Sequence, residues 1–187
     1  MEINLSWDLL VIVFFTVIIA YTFIIGRNQS TKIIISSYIA ILAADGVGNL
    51  IERYFLGEHP AIKTFNFTGG ADSLILIKIV IFILSIVIIT TRGKFQINMA
   101  RGDSILTRTI LSLTYGALSA GLITSTILIY ASGASLVQGS NIVMNQAVMD
   151  IYQQSQLVRL MINNYNVWFS LPAIAFVLSS FLGHEEG

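Results

Sequence analysis

Long apolar stretches with few charged residues, separated by short polar segments, dominate the chain. At ~1.5 Å per residue, each stretch can cover most of the ~30 Å hydrocarbon core of a bilayer as a helix. The stretches lie at about residues 9–26, 33–53, 73–91, 109–131 and 167–182. The pattern therefore predicts an all-α fold, a polytopic transmembrane helical bundle of five spans with an amphipathic outer segment at residues 135–165.

The fourth span is predicted to be the central helix, because small side chains occupy two of its sides. Gly116 and Ala120 mark one side, and Ala117 and Gly121 mark the other. Small residues let helix backbones approach closely in lipid. We expect a narrow stripe of larger aliphatic residues on this helix to face lipid. The stripe consists of Leu111, Leu118, Leu122 and Ile129.

The second span carries a polar stripe on one helical face. It is formed by Tyr38, Asp45, Asn49 and Glu52. A carboxylate at membrane depth is costly, so Asp45 is expected to face the bundle interior, to be paired, or to lie near water.

Lys78 is the charged residue within the third span, about 9 Å inside its outer end, and Asp45 lies about 12 Å inside the outer end of the second span. Matched depth and opposite charge suggest an ion pair between the two. In the alternative, Lys78 extends to the outer headgroups and Asp45 hydrogen-bonds hydroxyl groups of the central helix.

The segment 135–165 has an apolar side that fits short helices along the outer interface. It is predicted either to cap the bundle as a hairpin or to dock a partner. Pro172 interrupts the fifth span near its outer end, and Trp168 and Phe169 are expected at the outer interface, where aromatic residues are enriched.

Basic residues are unevenly distributed between the two sides of this topology. The predicted inner anchors are Arg27, Lys32, Arg92, Lys94, Arg101 and Arg108. The opposite side has Arg53, Lys63 and Arg159. The asymmetry predicts an N-terminus outside and a C-terminus inside.

The composition restricts the possible functions. Of 187 residues, 55% are hydrophobic and only 11% are charged, which indicates a single integral membrane domain over residues 1–187. The formal net charge is zero, so nucleic acid is not an expected partner. There is no cysteine, and the two histidines, His59 and His184, fall in a predicted loop and in the tail. We therefore expect no catalytic residues, metal or cofactor, and no enzymatic activity.

The run from Asp103 through Arg108 into the residues Tyr115–Leu122, YGALSAGL, resembles the colicin V production protein family of bacterial inner-membrane proteins. That family has a small-residue span that opens with a basic residue. The acidic residue before the first span and Gly26-Arg27 after it look similar too, although the family order is Arg-Gly. A span at 167–182 departs from the family layout. The resemblance implies a role in bacteriocin export or envelope maintenance.

The combined pattern predicts an accessory or structural subunit of a larger membrane assembly, with membrane lipids and other membrane-protein subunits as partners. One alternative is a small transporter or a proton- or cation-conducting component that uses Asp45, Asn49, Glu52 and Lys78. A second alternative is a lipid-handling protein with the outer segment as a lid.

Overall fold

The computed structural model describes residues 7–25, 27–56, 71–93, 105–136 and 146–182, and all regular structure in these ranges is helical, as predicted. The helices are α1 (Trp7–Ile25), α2 (Arg27–Ile51), α3 (Ala71–Arg92), α4 (Ile105–Ala131), α5 (Gln146–Gln154), α6 (Gln156–Asn163) and α7 (Tyr165–Leu182), and the π-helical turn Glu52–Leu56 extends α2. The helix α2 begins at Arg27, six residues before the predicted start of the second span at residue 33.

Among the described helices, four are long and apolar enough to cross a membrane. These are Trp7–Ile24 in α1, Ser30–Tyr54 in α2 and its extension, Ser73–Arg92 in α3 and Thr109–Ala131 in α4. The apolar part of α7, Tyr165–Leu178, is shorter. The protein is thus a helical membrane protein with several apolar helices of spanning length.

The long helices alternate in direction, which defines two ends of the bundle. Val11 near the start of α1 packs beside Leu128 and Ala131 at the end of α4. We call this the Asp8 end. At the opposite end, the Lys32 Nζ donates a hydrogen bond to the Gly93 carbonyl at 2.6 Å, joining the start of α2 to the end of α3. We call this the Lys32 end.

The helix α4 is central, because it contacts α1, α2, α3, α6 and α7. The prediction that its aliphatic stripe faces lipid is wrong. Leu122 and Ile129 are each 1% exposed, and Leu111 and Leu118 are half-buried against the main apolar core. Lipid tails and a protein interior are both apolar, so a stripe of leucine and isoleucine does not distinguish the two surroundings.

The helices α6 and α7 form one nearly continuous rod that bends at Asn164. The Asn164 amide donates to the Leu160 carbonyl at 3.1 Å, and the Trp168 amide donates to the Asn164 carbonyl at 3.2 Å. Val158, Met161 and Ile162 are the buried face of α6.

The α6–α7 rod packs along α4. The Ser125 hydroxyl of α4 lies 3.4 Å from the Met161 carbonyl, and the Tyr115 hydroxyl of α4 donates to the Ala175 carbonyl at 3.1 Å. Part of the segment 135–165 is therefore integrated between α1 and α4. Of its predicted apolar side, Met161 is buried, whereas Met149 and Leu160 are exposed.

Candidate functional site

The polar stripe of α2 leads to a buried ion pair. Asp45 is 1% exposed, and its Oδ1 lies 3.5 Å from the Nζ of Lys78 on α3. The two charges are on neighbouring antiparallel helices at similar depth, which is the arrangement that their positions in the sequence suggested. The structure thus has the ion pair rather than the alternative in which Lys78 extends away to headgroups.

Gly48 makes room for the lysine. A Cβ atom at this position would overlap the Lys78 side chain, with its Cγ only 2.8 Å away. The aliphatic stem of Lys78 therefore crosses α2 directly over Gly48 before the ammonium group reaches Asp45. A larger residue here would displace the stem, so Gly48 is part of the ion-pair site although it carries no polar side chain.

Tyr130 of α4 completes the surroundings of Asp45. It is fully buried, its hydroxyl group donates a hydrogen bond to the Ile41 carbonyl at 3.1 Å, and it interacts with the Asp45 carboxylate. Its ring packs edge-to-face on Phe82 of α3, with centroids 5.9 Å apart. Three helices thus meet at one carboxylate. Tyr130 was not among the sequence-based candidates, because a tyrosine near a span end is ordinarily read as interfacial.

The other two polar candidates on α2 differ in environment. The Oδ1 atom of Asn49, one turn beyond Asp45, is buried and accepts no hydrogen bond from the described residues. Glu52 is exposed in the π-helical turn and lies outside the buried cluster. The structure therefore brings Asp45 and Lys78 together, leaves a buried acceptor nearby, and separates Glu52 from them.

The small residues of α4 lie at two helix contacts, as predicted. A Cβ atom at Gly116 would overlap the Thr22 side chain of α1, and one at Gly121 would overlap the indole ring of Trp168 on α7. Ala120 is fully buried, and Ala117 is half-buried. Because each glycine lacks a side chain, the residue of the neighbouring helix lies closer to the α4 backbone than it could beside any other amino acid.

The contact with Gly121 also corrects the predicted place of Trp168. Gly121 lies roughly 15 Å from the end of α4 at Ala131. The indole ring packs there edge-to-face on Phe15, with centroids 6.1 Å apart. Trp168 therefore lies inside the bundle and not at the outer interface, because the absence of a side chain at Gly121 leaves space for a ring of this size.

The basic anchors are described only in part. Lys32 binds the carbonyl after the last turn of α3, where a cation is favourable, and Arg92 is exposed. Arg27 and Arg108 lie in α2 and α4, but their side chains are outside the described part. Lys94 and Arg101 lie outside the described residues altogether.

Sequence patterns did not indicate two polar contacts that hold the bundle together. At the Asp8 end, Asp8 Oδ1 accepts hydrogen bonds from the Ser155 hydroxyl at 2.5 Å and the Leu157 amide at 3.0 Å. Ser155 Oγ in turn accepts from the Val158 amide at 3.0 Å and so caps α6. Serine is a favoured N-cap residue, so Ser155 before a short amphipathic helix is a sequence signal for the cap of α6. It does not indicate that Asp8 contacts Ser155.

The second missed contact lies at Pro172. Proline has no amide hydrogen to donate within α7, so its turn is weakened. The Tyr38 hydroxyl donates to the Phe169 carbonyl in this turn and also interacts with the Ala173 backbone. Tyr38, the member of the predicted α2 stripe nearest the Lys32 end, therefore serves helix packing.

Searches of the described residues find no group of three or more acidic or histidine side chains that could hold a metal ion. Comparison of the chain with protein-family models, curated proteins and solved structures finds no match. The resemblance to the colicin V production protein family stays a sequence-based prediction.

Proposed function

We propose that this protein is a non-enzymatic, multi-pass membrane protein that acts as an accessory or structural subunit of a larger membrane assembly. The observation that carries this proposal is the internally compensated Asp45–Lys78 pair. The acid and the base neutralise each other where α2, α3 and α4 meet, and Gly48 fits closely around the lysine stem. This arrangement suits a fixed packing element better than a path that carries ions.

The finer topology belongs to the same proposal. The helix α7 is the fifth membrane passage, at the predicted residues 167–182, and the helix α6 that precedes it begins after Ser155, beside Asp8. The basic residues Arg27, Lys32 and Arg92 at the Lys32 end support a cytoplasmic location for that end, with the N-terminus outside and the C-terminus inside. The family resemblance implies a bacterial inner membrane and an assembly that serves export or envelope maintenance.

A pull-down of the tagged protein from its native membrane in mild detergent, followed by mass spectrometry, tests this proposal. We expect a stoichiometric membrane-protein partner. The variant Asp45→Asn/Lys78→Met is expected to retain that partner, because it removes both charges together. Isolation of the wild-type protein without any other protein would contradict the proposal.

A small proton- or cation-conducting component is the second candidate, favoured by the buried Asn49 Oδ1 next to the ion pair, which accepts no hydrogen bond from the described part of the chain. In this alternative, Asp45 and Lys78 change partners as charge moves, and Asn49 supplies an intermediate acceptor. Purified protein in liposomes with an internal pH dye distinguishes the two functions. Conduction predicts wild-type proton flux that Asp45→Asn/Lys78→Met abolishes, whereas an accessory subunit predicts no flux in either protein.

A further inference from the structure

The part of α7 that precedes Pro172 is anchored in the bundle. The indole ring of Trp168 lies at Gly121 of α4 and packs edge-to-face on Phe15 of α1. The backbone continues into α6 through Asn164, whose carbonyl accepts hydrogen bonds from the first turn of α7. Movement of this part would therefore displace a ring that packs on two other helices, and it would bend the α6–α7 rod.

The part of α7 that follows Pro172 is held by smaller contacts, and we call its residues 173–182 the α7 arm. The Tyr115 hydroxyl of α4 donates to the Ala175 carbonyl at 3.1 Å. Ala175 is the described residue of the arm that packs against the main apolar core, and a methyl group buries little apolar area. Larger side chains of the arm are exposed, namely Ile174, Val177 and Leu178. Few buried side chains are typical of segments that open more readily than the rest of a fold.

Pro172 separates these two parts at a turn that cannot complete its own hydrogen bonds. Proline has no amide hydrogen, and its ring pushes against the carbonyl of the preceding turn. Sharp kinks in helices arise at such residues. Pro172 lies in the middle of Tyr165–Leu178, the apolar part of α7, where lipid supplies no replacement donor or acceptor. The backbone groups of this turn therefore need a partner from a neighbouring helix.

Tyr38 of α2 is that partner. In an unbroken helix, the Ala173 amide would donate to the Phe169 carbonyl, one turn earlier. The Tyr38 hydroxyl donates to this carbonyl, and its oxygen lies beside the Ala173 amide, so it contacts both members of the pair. The Tyr38 ring packs edge-to-face on the ring of Phe169, with centroids 5.2 Å apart. One side chain thus joins the anchored part of α7 and the α7 arm to each other and to α2.

We propose that Pro172 is a hinge about which the α7 arm moves relative to α4, and that the hydroxyl group of Tyr38 holds the arm in the closed position seen in the structure. Tyr115 is buried under the closed arm. Outward movement of the arm uncovers Tyr115 and the apolar surface of α4 around it. The inference goes beyond the proposed function, because an accessory subunit and a conducting component can both use such a hinge.

The absence of cysteine from the chain permits spin labels at introduced cysteines, with distances measured in lipid nanodiscs by double electron–electron resonance. Leu178→Cys on the arm and Ile88→Cys on α3 form the arm pair, and Val167→Cys on the anchored part with Leu76→Cys on α3 forms the reference pair. All four positions are exposed. Leu178 lies about 9 Å beyond Pro172, so a change of about 25° in the kink moves its label by about 4 Å.

Tyr38→Phe removes the hydroxyl group and keeps the ring. We expect it to add a second distance in the arm pair, shifted by about 4 Å, and to leave the reference pair unchanged. Tyr21→Phe makes the same chemical change at an exposed tyrosine of α1 and should alter neither pair. Adding Pro172→Ala to Tyr38→Phe should restore the single distance, because alanine returns an amide donor to the turn.

The rescue by Pro172→Ala distinguishes a hinge from a packing role of Tyr38, since a lost packing contact would not be restored by a change in the backbone of α7. An unchanged arm pair in Tyr38→Phe would overturn the proposal, as would a Pro172→Ala variant that keeps the second distance. A shift in both pairs would show that Tyr38 stabilises the bundle as a whole, and it would overturn the hinge as well.

Discussion

Among the described residues, the carboxylates of Asp45 and Asp8 are buried or partly buried, and they are stabilised in different ways. Asp45 lies deep between α2, α3 and α4, and its main partner is the opposite charge of Lys78 at 3.5 Å. Asp8 lies at the start of α1, and its partners are the neutral hydroxyl of Ser155 and the amide of Leu157. In the interior a full charge needs a counter-charge, whereas at the end of the bundle a helix N-terminus and a hydroxyl group suffice.

The two carboxylates also stabilise different parts of the bundle. The Asp45 site joins three long helices, α2, α3 and α4. The Asp8 site attaches a short helix, α6, whose own length is too small for independent stability. We therefore expect the loss of charge to matter most at Asp45, and the loss of a hydrogen-bond acceptor to matter most at Asp8.

The largest effect is expected from Lys78→Met. This substitution leaves the buried carboxylate of Asp45 without its counter-charge, and breaking such a pair costs about 3–5 kcal/mol. The free energy of unfolding in bicelles measures the loss. Adding Asp45→Asn should restore most of it, because no charge then remains at the site. A double variant as unstable as Lys78→Met would show that Lys78 acts mainly through the packing of its stem.

Matching the depths of charged residues along the sequence was enough to suggest the Asp45–Lys78 pair, since a span has a nearly fixed rise per residue. The central position of α4 was also predictable from Gly116 and Gly121, because small residues mark close helix contacts. Both arguments rest on the charge and the size of side chains, which influence helix packing in lipid as well.

Other features could not be predicted from the sequence. The sequence wrongly predicts that Leu122 and Ile129 face lipid, because hydrophobicity alone does not separate core from lipid-facing positions. The contact between Asp8 and Ser155 joins residues 147 positions apart, and nothing local to either residue indicates the other. The usual preference of tryptophan predicts Trp168 at the outer interface, but the space left by Gly121 accommodates its ring inside the bundle.

A moderate effect is expected at Asp8. Asp8→Ala removes the acceptor for the Ser155 hydroxyl and the Leu157 amide, and we expect a loss in the free energy of unfolding that is smaller than that of Lys78→Met. Asp8→Asn keeps an acceptor oxygen and should lower the free energy of unfolding less than Asp8→Ala does. The measurement is the same unfolding titration, with hydrogen exchange of α6 amides as a local readout. Equal losses for both variants would show that the charge itself, rather than hydrogen bonding, stabilises this end, and the contrast with Asp45 would disappear.

The smallest changes in the free energy of unfolding are expected at two glycines of α2, Gly48 and Gly46. Comparing them tests how closely the Lys78 stem packs on this helix. Gly48→Ala forces the Lys78 stem away from α2, so we expect a loss of about 1 kcal/mol, smaller than that of Lys78→Met because the flexible stem can adjust. Gly46 is exposed, and a Cβ atom there would have nothing within 4 Å. Gly46→Ala should therefore stabilise α2 by about 0.5–1 kcal/mol through helix propensity alone. Unfolding of the two variants side by side measures the difference. If both Gly48→Ala and Gly46→Ala stabilise the protein, the Lys78 stem does not pack closely on Gly48. The ion pair then depends on Asp45 and Tyr130, and the shape of α2 at Gly48 does not contribute to it.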